Sequence, residues 1–557
     1  MASESKKPRG EWEDKIDELR QQQKLIREPN LSDPGYIRQK QNNKLWVRER
    51  IDALLDKGSF VEVASIAGGP VYDEKTGELK SFVPANAVTG SGKIRGRKVC
   101  VNADDFSVRG GHADGGIGMK AVYGEMLARK YRVPLIRLLD GSSGGGSVAL
   151  YLSMGAIYIP ALGGTGQSMD TMAVVPVASA LLGPVVGLAA AKTVLSHFSV
   201  MVKGLSQLFA AGPPVVKQAT FEDLTKEQLG GVDVHAVNGT VDNVATSEQD
   251  AFEQIKTFLS YLPSSIFELP PIVSSSDPAD RCEDFLASII PKRRARPYDV
   301  RSLIRLVVDV ADPSKVAGGE DNTTFWEMGA TWGKSIVTGF ARLSGYPVGV
   351  LSSDCYQGGG AVDALGSQKT TRFVNLCDHF GIPILNLVDQ PGFAIGSIAE
   401  RAATIRHGGA AMAALYNALI PMYTVIIRRA FGVAGGAFAN PEEQGYRVAW
   451  PSGDWGSLPL EGGIEAAYKR QLDATNSPEE RDKLYQQLLG QFDVVRDPLR
   501  TAHKFGVEEI IDPRETRPRA CAWAAEMYER ILPQLLTVRT TKYGIDLKPS
   551  SGRAYKL

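Results

Sequence analysis

Residues 132–147 read R-V-P-L-I-R-L-L-D-G-S-S-G-G-G-S, and residues 381–393 read G-I-P-I-L-N-L-V-D-Q-P-G-F. Each is an apolar run containing proline that ends in aspartate and opens into small residues, the pattern of a buried strand delivering a loop. In such a loop, backbone N–H groups can approach an anionic oxygen with no side chain in the way. The offset is constant: Pro383 and Pro134 lie 249 residues apart, and so do Asp389 and Asp140. Laid on 338–389 without a gap, residues 89–140 match at 14 of 52 positions, among them Thr89 with Thr338, Gly90 with Gly339, Asp105 with Asp354, Gly111 with Gly360 and Lys120 with Lys369. Composition alone gives roughly three or four matches over that length, so the chain carries two copies of one domain.

Outward from each strand the order repeats. Residues 94–101 read as a strand, a glycine-rich bend follows, residues 120–131 read as a helix, and the quoted strand comes next. Strand, loop, helix, strand, twice over, predicts an α/β fold with helices packed on each sheet. A second glycine element closes each half, L-L-G-P-V-V-G at 181–187 and A-F-G-V-A-G-G-A at 430–437, with Gly183 and Gly432 again 249 apart. Each half is therefore expected to offer two small-residue loops at matched positions. The expected division is a helical arm over 1–60, a first domain over 61–285 and a second over 286–557. The basic run 292–296 falls in a proline- and serine-rich linker, and the tail from about Gly462 reads as helical and charged.

Composition narrows the function. The 557 residues carry 63 basic and 63 acidic side chains, a balance that favours neither nucleic acid nor a charged membrane surface. Five scattered cysteines without a C-x-x-C spacing argue against a zinc ribbon or a disulfide framework and fit a reducing compartment. The uncharged run 172–191 is broken by Pro176, Gly183, Pro184 and Gly187, and reads as a buried strand and turn instead of a membrane span. No G-x-S-x-G, H-E-x-x-H or P-loop is present, and the six histidines have no metal-ligand spacing. Loops of free N–H donors suit reactions that develop charge on a carbonyl oxygen, such as thioester enolates.

The chain resembles the carboxyltransferase (β) subunits of biotin-dependent acyl-CoA carboxylases, of the propionyl-CoA and methylcrotonyl-CoA carboxylase type. The likeness is carried by R-I-D-A-L-L-D-K-G-S-F-V-E (50–62), G-P-P-V-V-K (212–217), L-T-K-E-Q-L-G-G (224–231), D-P-A-D-R (277–281), R-P-Y-D-V-R (296–301), I-R-H-G-G (405–409) and A-W-P (449–451). The resemblance implies two tandem crotonase-like (ClpP/crotonase) domains. It also implies transfer of CO2 from carboxybiotin, held on a partner biotin carboxylase and biotin carboxyl carrier α subunit, to an acyl-CoA thioester, with two oxyanion holes and no metal in this chain. A homo-hexamer is implied, with sites shared between neighbouring copies, in the cytoplasm or the mitochondrial matrix. A sodium-pumping decarboxylase and a silent scaffold subunit are the alternatives.

Carried over residue by residue, the acyl-CoA carbonyl falls to the N–H groups of Ser143, Gly144 and Gly145, with Ser142 beside them. The biotin side falls to Val433 and Ala434. Gly183, Gly360, Gly432, Gly435 and Gly436 are expected to line the site. At Gly436 the aspartate that lies by the acyl pocket of propionyl-type enzymes is absent, which points to an acyl chain other than propionyl. Lys120 and Lys369 are expected at exposed helix starts, with phosphate contact the lesser option. Asp140 and Asp389 are expected to cap the turns that follow them.

Overall fold

The computed structural model describes residues 10–543 apart from 113–114, 143–146, 160–163, 316–321 and 440–444. Within them the chain forms two compact units, 1–234 with 244–256 and 235–243 with 257–557.

In the first unit β1 (Val61–Val63), β4 (Ala87–Ile94), β5 (Arg97–Asp104), β6 (Leu135–Ser142), β7 (Val177–Val186), β8 (Phe198–Val202) and β10 (Asn243–Ala245) pair in that order, with β9 (Gln207–Phe209) on β7. A separate hairpin is made by β2 (Gly68–Tyr72) and β3 (Leu79–Pro84). The second unit repeats the layout strand for strand. Its order is β11 (Trp326–Glu327), β12 (Ile336–Leu343), β13 (Tyr346–Ser353), β14 (Ile384–Gln390), β15 (Met422–Phe431), β16 (Gly445–Ala449) and β18 (Glu509–Ile510), with β17 (Asp454–Gly456) on β15. In both sheets the first three strands are antiparallel and the next ones parallel. The parallel strands are apolar runs buried along their length, as strands covered on both faces must be. The uncharged run 172–191 is β7 with the turn into the next helix, and no helix among the described residues is long and apolar enough to cross a membrane.

The labelled helices are α1 (Val47–Leu54), α2 (Lys120–Tyr131), α3 (Leu188–Val194), α4 (Val300–Val307), α5 (Ala364–Phe380), α6 (Thr404–Asn417) and α7 (Gly432–Ala439). The charged tail is helical as expected, with Leu460–Ala467, Lys469–Asp473 and Pro478–Val495 closing on a small core of Ile464, Leu472 and Leu488. The basic run 292–296 is exposed.

The register explains the repeated Thr-Gly pair. Gly90 lies opposite Glu62 of β1 and Gly339 lies opposite Glu327 of β11. A Cβ at Gly90 would stand 2.3 Å from the Val61 carbonyl oxygen, and one at Gly339 would stand 2.4 Å from that of Trp326. Both edge strands thus close on a bare backbone. The two glutamates are also equivalent in use: Glu62 pairs with Arg48 at 2.9 Å and Lys120 at 3.3 Å, and Glu327 pairs with Arg301 at 2.7 Å, which reaches Asp354 as well.

Two expectations are corrected here. Lys120 and Lys369 do not sit at exposed helix starts and have no access to a phosphate. Lys369 is 2% exposed, and its ammonium donates to the carbonyls of Gly329 at 2.7 Å, Trp332 at 3.2 Å and Ile336 at 2.7 Å. Burial pushes its amine down to about 8. The second correction concerns the closing glycines. Leu139 pairs with Leu181 and Val388 with Ile426, so the offset between β7 and β15 is 245 and not 249. Gly432 therefore answers to Gly187, both at positive φ (+62° and +65°) and each at the strand-to-helix turn, whereas Gly183 lies inside β7.

Candidate active site

The second unit carries the described half of the site. β15 ends at Phe431, and Gly432 turns the chain directly into α7. Val433 and Ala434 occupy the first turn of that helix, where N–H groups have no intrahelical acceptor. Among the described residues no backbone turn or cap takes them up. They lie at the positive end of the helix dipole, a position suited to negative charge. Ala434 is buried while the Val433 side chain is 65% exposed, so the valine leaves its own N–H unobstructed from within the fold.

Packing fixes this turn. A Cβ on Gly435 would lie 2.4 Å from the carbonyl carbon of Ala430, so only glycine lets α7 start this close to the strand. At the far end the Asn386 amide donates to the Phe438 carbonyl at 2.6 Å. Beside the helix lies a cavity of ≈ 190 Å³, lined by Ile426, Ala430, Gly432, Gly435, Gly436, Ala439, Arg447, Trp455, Gly456, Gly506 and Val507. The structure thus brings Gly432, Gly435 and Gly436 together around one space.

Asp389 is a hub beneath the site and not a turn cap. Its buried carboxylate accepts from Arg428 at 2.7 and 3.1 Å, from Arg429 at 2.6 and 3.0 Å, from the Arg429 N–H at 3.2 Å and from the Tyr298 hydroxyl at 3.1 Å. Burial alone would raise the carboxyl, but the hydrogen bonds and charge of Arg429 and then Arg428 override it and hold the group below its ordinary value. Arg428 also donates to the carbonyls of Arg294 and Arg296, and Arg429 to that of Gly359. Because Arg428 and Arg429 immediately precede Ala430, this cluster anchors the strand end from which α7 departs. Gly360 lies against the same cluster, its missing Cβ 3.4 Å from Arg429 and from the Asp389 carbonyl, and not in the cavity.

The first unit repeats the anchor with different residues. Asp140 accepts from Arg50 at 2.7 Å and Gln39 at 3.1 Å and pairs with Lys44 at 2.6 Å, while Arg50 also holds Glu248 at 2.6 Å. Asp140, too, is an ion-pair centre instead of a cap. A Cβ on Gly183 would fall 1.9 Å from the Asp140 Oδ1, which makes that glycine a spacer for the buried carboxylate. Ser142 is the last residue of β6. Ser143, Gly144 and Gly145 lie outside the described residues.

Sequence reasoning did not single out Arg50, Arg428, Arg429 or Tyr298. The available signal was an arginine pair inside an otherwise apolar strand, together with aspartates repeated at one offset. A buried charge of that kind demands partners.

Comparison with known proteins adds to this geometry. Residues 38–534 match the family described as carboxyl transferase domain. The chain belongs to that family. A propionyl-CoA carboxylase carboxyltransferase subunit of Haloferax mediterranei is 33% identical over 92% of this chain and 95% of its own length. The biotin-dependent acetyl-/propionyl-coenzyme A carboxylase β5 subunit of Mycobacterium tuberculosis is 34% identical over 88% of each. The methylmalonyl-CoA decarboxylase subunit α of Veillonella parvula is 32% identical over 89% of this chain and 93% of its own. Among solved structures, the hexameric transcarboxylase 12S, with methylmalonyl-coenzyme A bound, superposes with a TM-score of 0.79 at 29% identity, over 93% of this chain and 96% of that one. This carboxyltransferase is therefore an enzyme of the propionyl-CoA carboxylase β type, and its two sheets are tandem crotonase-like domains.

Proposed function

We propose that the protein is the carboxyltransferase subunit of a biotin-dependent acyl-CoA carboxylase, acting with a separate subunit that carries biotin and charges it, as a homo-hexamer in the cytoplasm or the mitochondrial matrix. The supporting observation is the start of α7, where two N–H groups without an internal acceptor stand at a helix N-terminus fixed by the Asp389 cluster. That arrangement fits the ureido oxygen of biotin, which would be held by Val433 and Ala434. When bound, biotin supplies the carboxyl group and, once that group has left, a base for the α-proton of the thioester.

This chain supplies position and donors. Val433 and Ala434 stabilise negative charge on the ureido oxygen, and Ser143, Gly144 and Gly145 are assigned the same task at the thioester carbonyl. Each donor aimed at a developing oxyanion contributes about 3 kcal/mol. Holding the two reactants in register contributes roughly 7–11 kcal/mol more. No protein base is required, and His407 on α6 is given none of the chemistry.

The test is reconstitution with the biotin-charging partner and measurement of labelled bicarbonate fixed into a panel of acyl-CoAs. ATP-dependent fixation supports the proposal. The likeness to the Veillonella decarboxylase subunit favours a second reading, decarboxylation coupled to sodium export. Decarboxylation of methylmalonyl-CoA that depends on sodium, without ATP, would select that reading, and no turnover on any thioester would leave a scaffold role.

A further inference from the structure

Three glycines stand within the eight-residue helix α7, and each costs about 1 kcal/mol against alanine in a helix. Two have local causes. Gly432 adopts φ +62° at the turn, and Gly435 lies against the Ala430 backbone. Gly436 has neither: its φ is not positive, and a Cβ there would meet nothing within 4 Å. What its missing side chain leaves open is the ≈ 190 Å³ cavity, walled by Ile426 and Ala430 of β15, Ala439 of α7, Trp455 and Gly456 of β17, and Val507.

The lining chooses between the two ligands of the reaction. Its polar side chains are donors already in use. Arg447 is held by Glu508 at 2.9 Å and by the Gly506 carbonyl at 3.3 Å, and the Trp455 indole N–H donates to Thr501 at 3.1 Å. A ureido ring would bring N–H groups that no side chain of this wall accepts, whereas a hydrocarbon chain brings none. The space equals about six small groups at roughly 30 Å³ each.

We propose that this cavity is the pocket for the acyl chain of the thioester, that it holds a tail of about four to six carbons, and that Gly436 sets its depth. The inference rests on the carboxyltransferase reading and names the substrate class within it: acyl-CoAs longer than propionyl.

The reconstituted complex would be assayed with straight-chain acyl-CoAs from acetyl to octanoyl. The expected kcat/KM rises roughly fourfold per added methylene and peaks beyond butyryl. Gly436→Leu fills the cavity from the helix, and Val507→Phe fills it from the opposite wall. Each is expected to cut the hexanoyl-to-propionyl ratio of kcat/KM at least tenfold, and two variants on different elements guard against one failing to fold. Preference for acetyl- or propionyl-CoA, with a ratio neither variant moves, overturns the pocket and leaves carboxylation standing. No carboxylation of any thioester, by a complex whose partner still cleaves ATP with bicarbonate, overturns the carboxylation reading and the pocket with it.

Discussion

Replacing Gly435 by alanine adds one methyl group where the first turn of α7 meets β15. The new Cβ would stand 2.4 Å from the Ala430 carbonyl carbon, 3.0 Å from its Cα and 3.2 Å from its oxygen. Carbon atoms in contact settle near 3.5–4.0 Å, so the helix start must retreat from the strand by about 1 Å. Overpacking of this kind costs roughly 1–3 kcal/mol, of which alanine's better helix propensity returns about 1. The protein should therefore stay folded. The effect on catalysis is larger, because an oxyanion donor works only within about 2.7–3.1 Å of its oxygen, and a displacement of about 1 Å removes Val433 and Ala434 from that range. Losing one donor costs about 3 kcal/mol, so kcat should fall at least about a hundredfold. Gly490→Ala, in the helix Pro478–Val495 with nothing within 4 Å of its Cβ, is the control: melting temperature should rise slightly and kcat should not move. Thermal melts and steady-state carboxylation of all three proteins decide the matter. A folded Gly435→Ala protein that keeps kcat within twofold would refute the reasoning.

Three further outcomes are expected. Asp389→Asn leaves two buried guanidinium groups without a counter-charge and should destabilise by about 3–5 kcal/mol at pH 7 in denaturant titrations. Because the Asp389 carboxyl is depressed in the fold, its stabilisation is present above the unfolded value of 3.8 and is lost as pH falls through the folded one, so the gap between wild type and variant should narrow in acid. Lys369→Met strands three carbonyls and should destabilise at pH 7. Between about 8 and 10.5 the unfolded chain holds the proton that the folded chain has released, so wild type should gain on the variant as pH climbs through that window. Gly183→Ala drives a Cβ into the Asp140 carboxylate at 1.9 Å and should cost more stability than Gly435→Ala, by the same titration.

The duplication was legible because one offset, 249, survives from β4 to β6 and from β12 to β14, where Gly90 and Gly339 must stay bare and strands of equal length must meet. It was misread one strand later. Leu139 to Leu181 spans 42 residues and Val388 to Ile426 spans 38, so the connection into β7 is four residues longer than its counterpart and shifts the alignment onto Gly183. Only strand pairing discloses that change. The donor turn at Val433 and Ala434 could be located from the sequence, because a strand running into glycine and then alanines has few other forms. The cluster behind it could not, since Tyr298 lies 91 residues and Arg428 39 residues from Asp389, and a lone sequence gives no distance across a fold. Lys120 and Lys369 misled for a related reason: a lysine reads as solvent-exposed unless carbonyls from another segment, here Gly329, Trp332 and Ile336 around Lys369, are known to surround its ammonium.

The most direct measurement uses this chain without its partner: transfer of label from carboxyl-labelled methylmalonyl-CoA to free biocytin. The account predicts labelled carboxybiocytin and free propionyl-CoA in equal amounts, and at least a hundredfold less of both from Gly435→Ala. Failure of the wild-type protein to label biocytin from methylmalonyl-CoA or from any longer 2-carboxyacyl-CoA would contradict it.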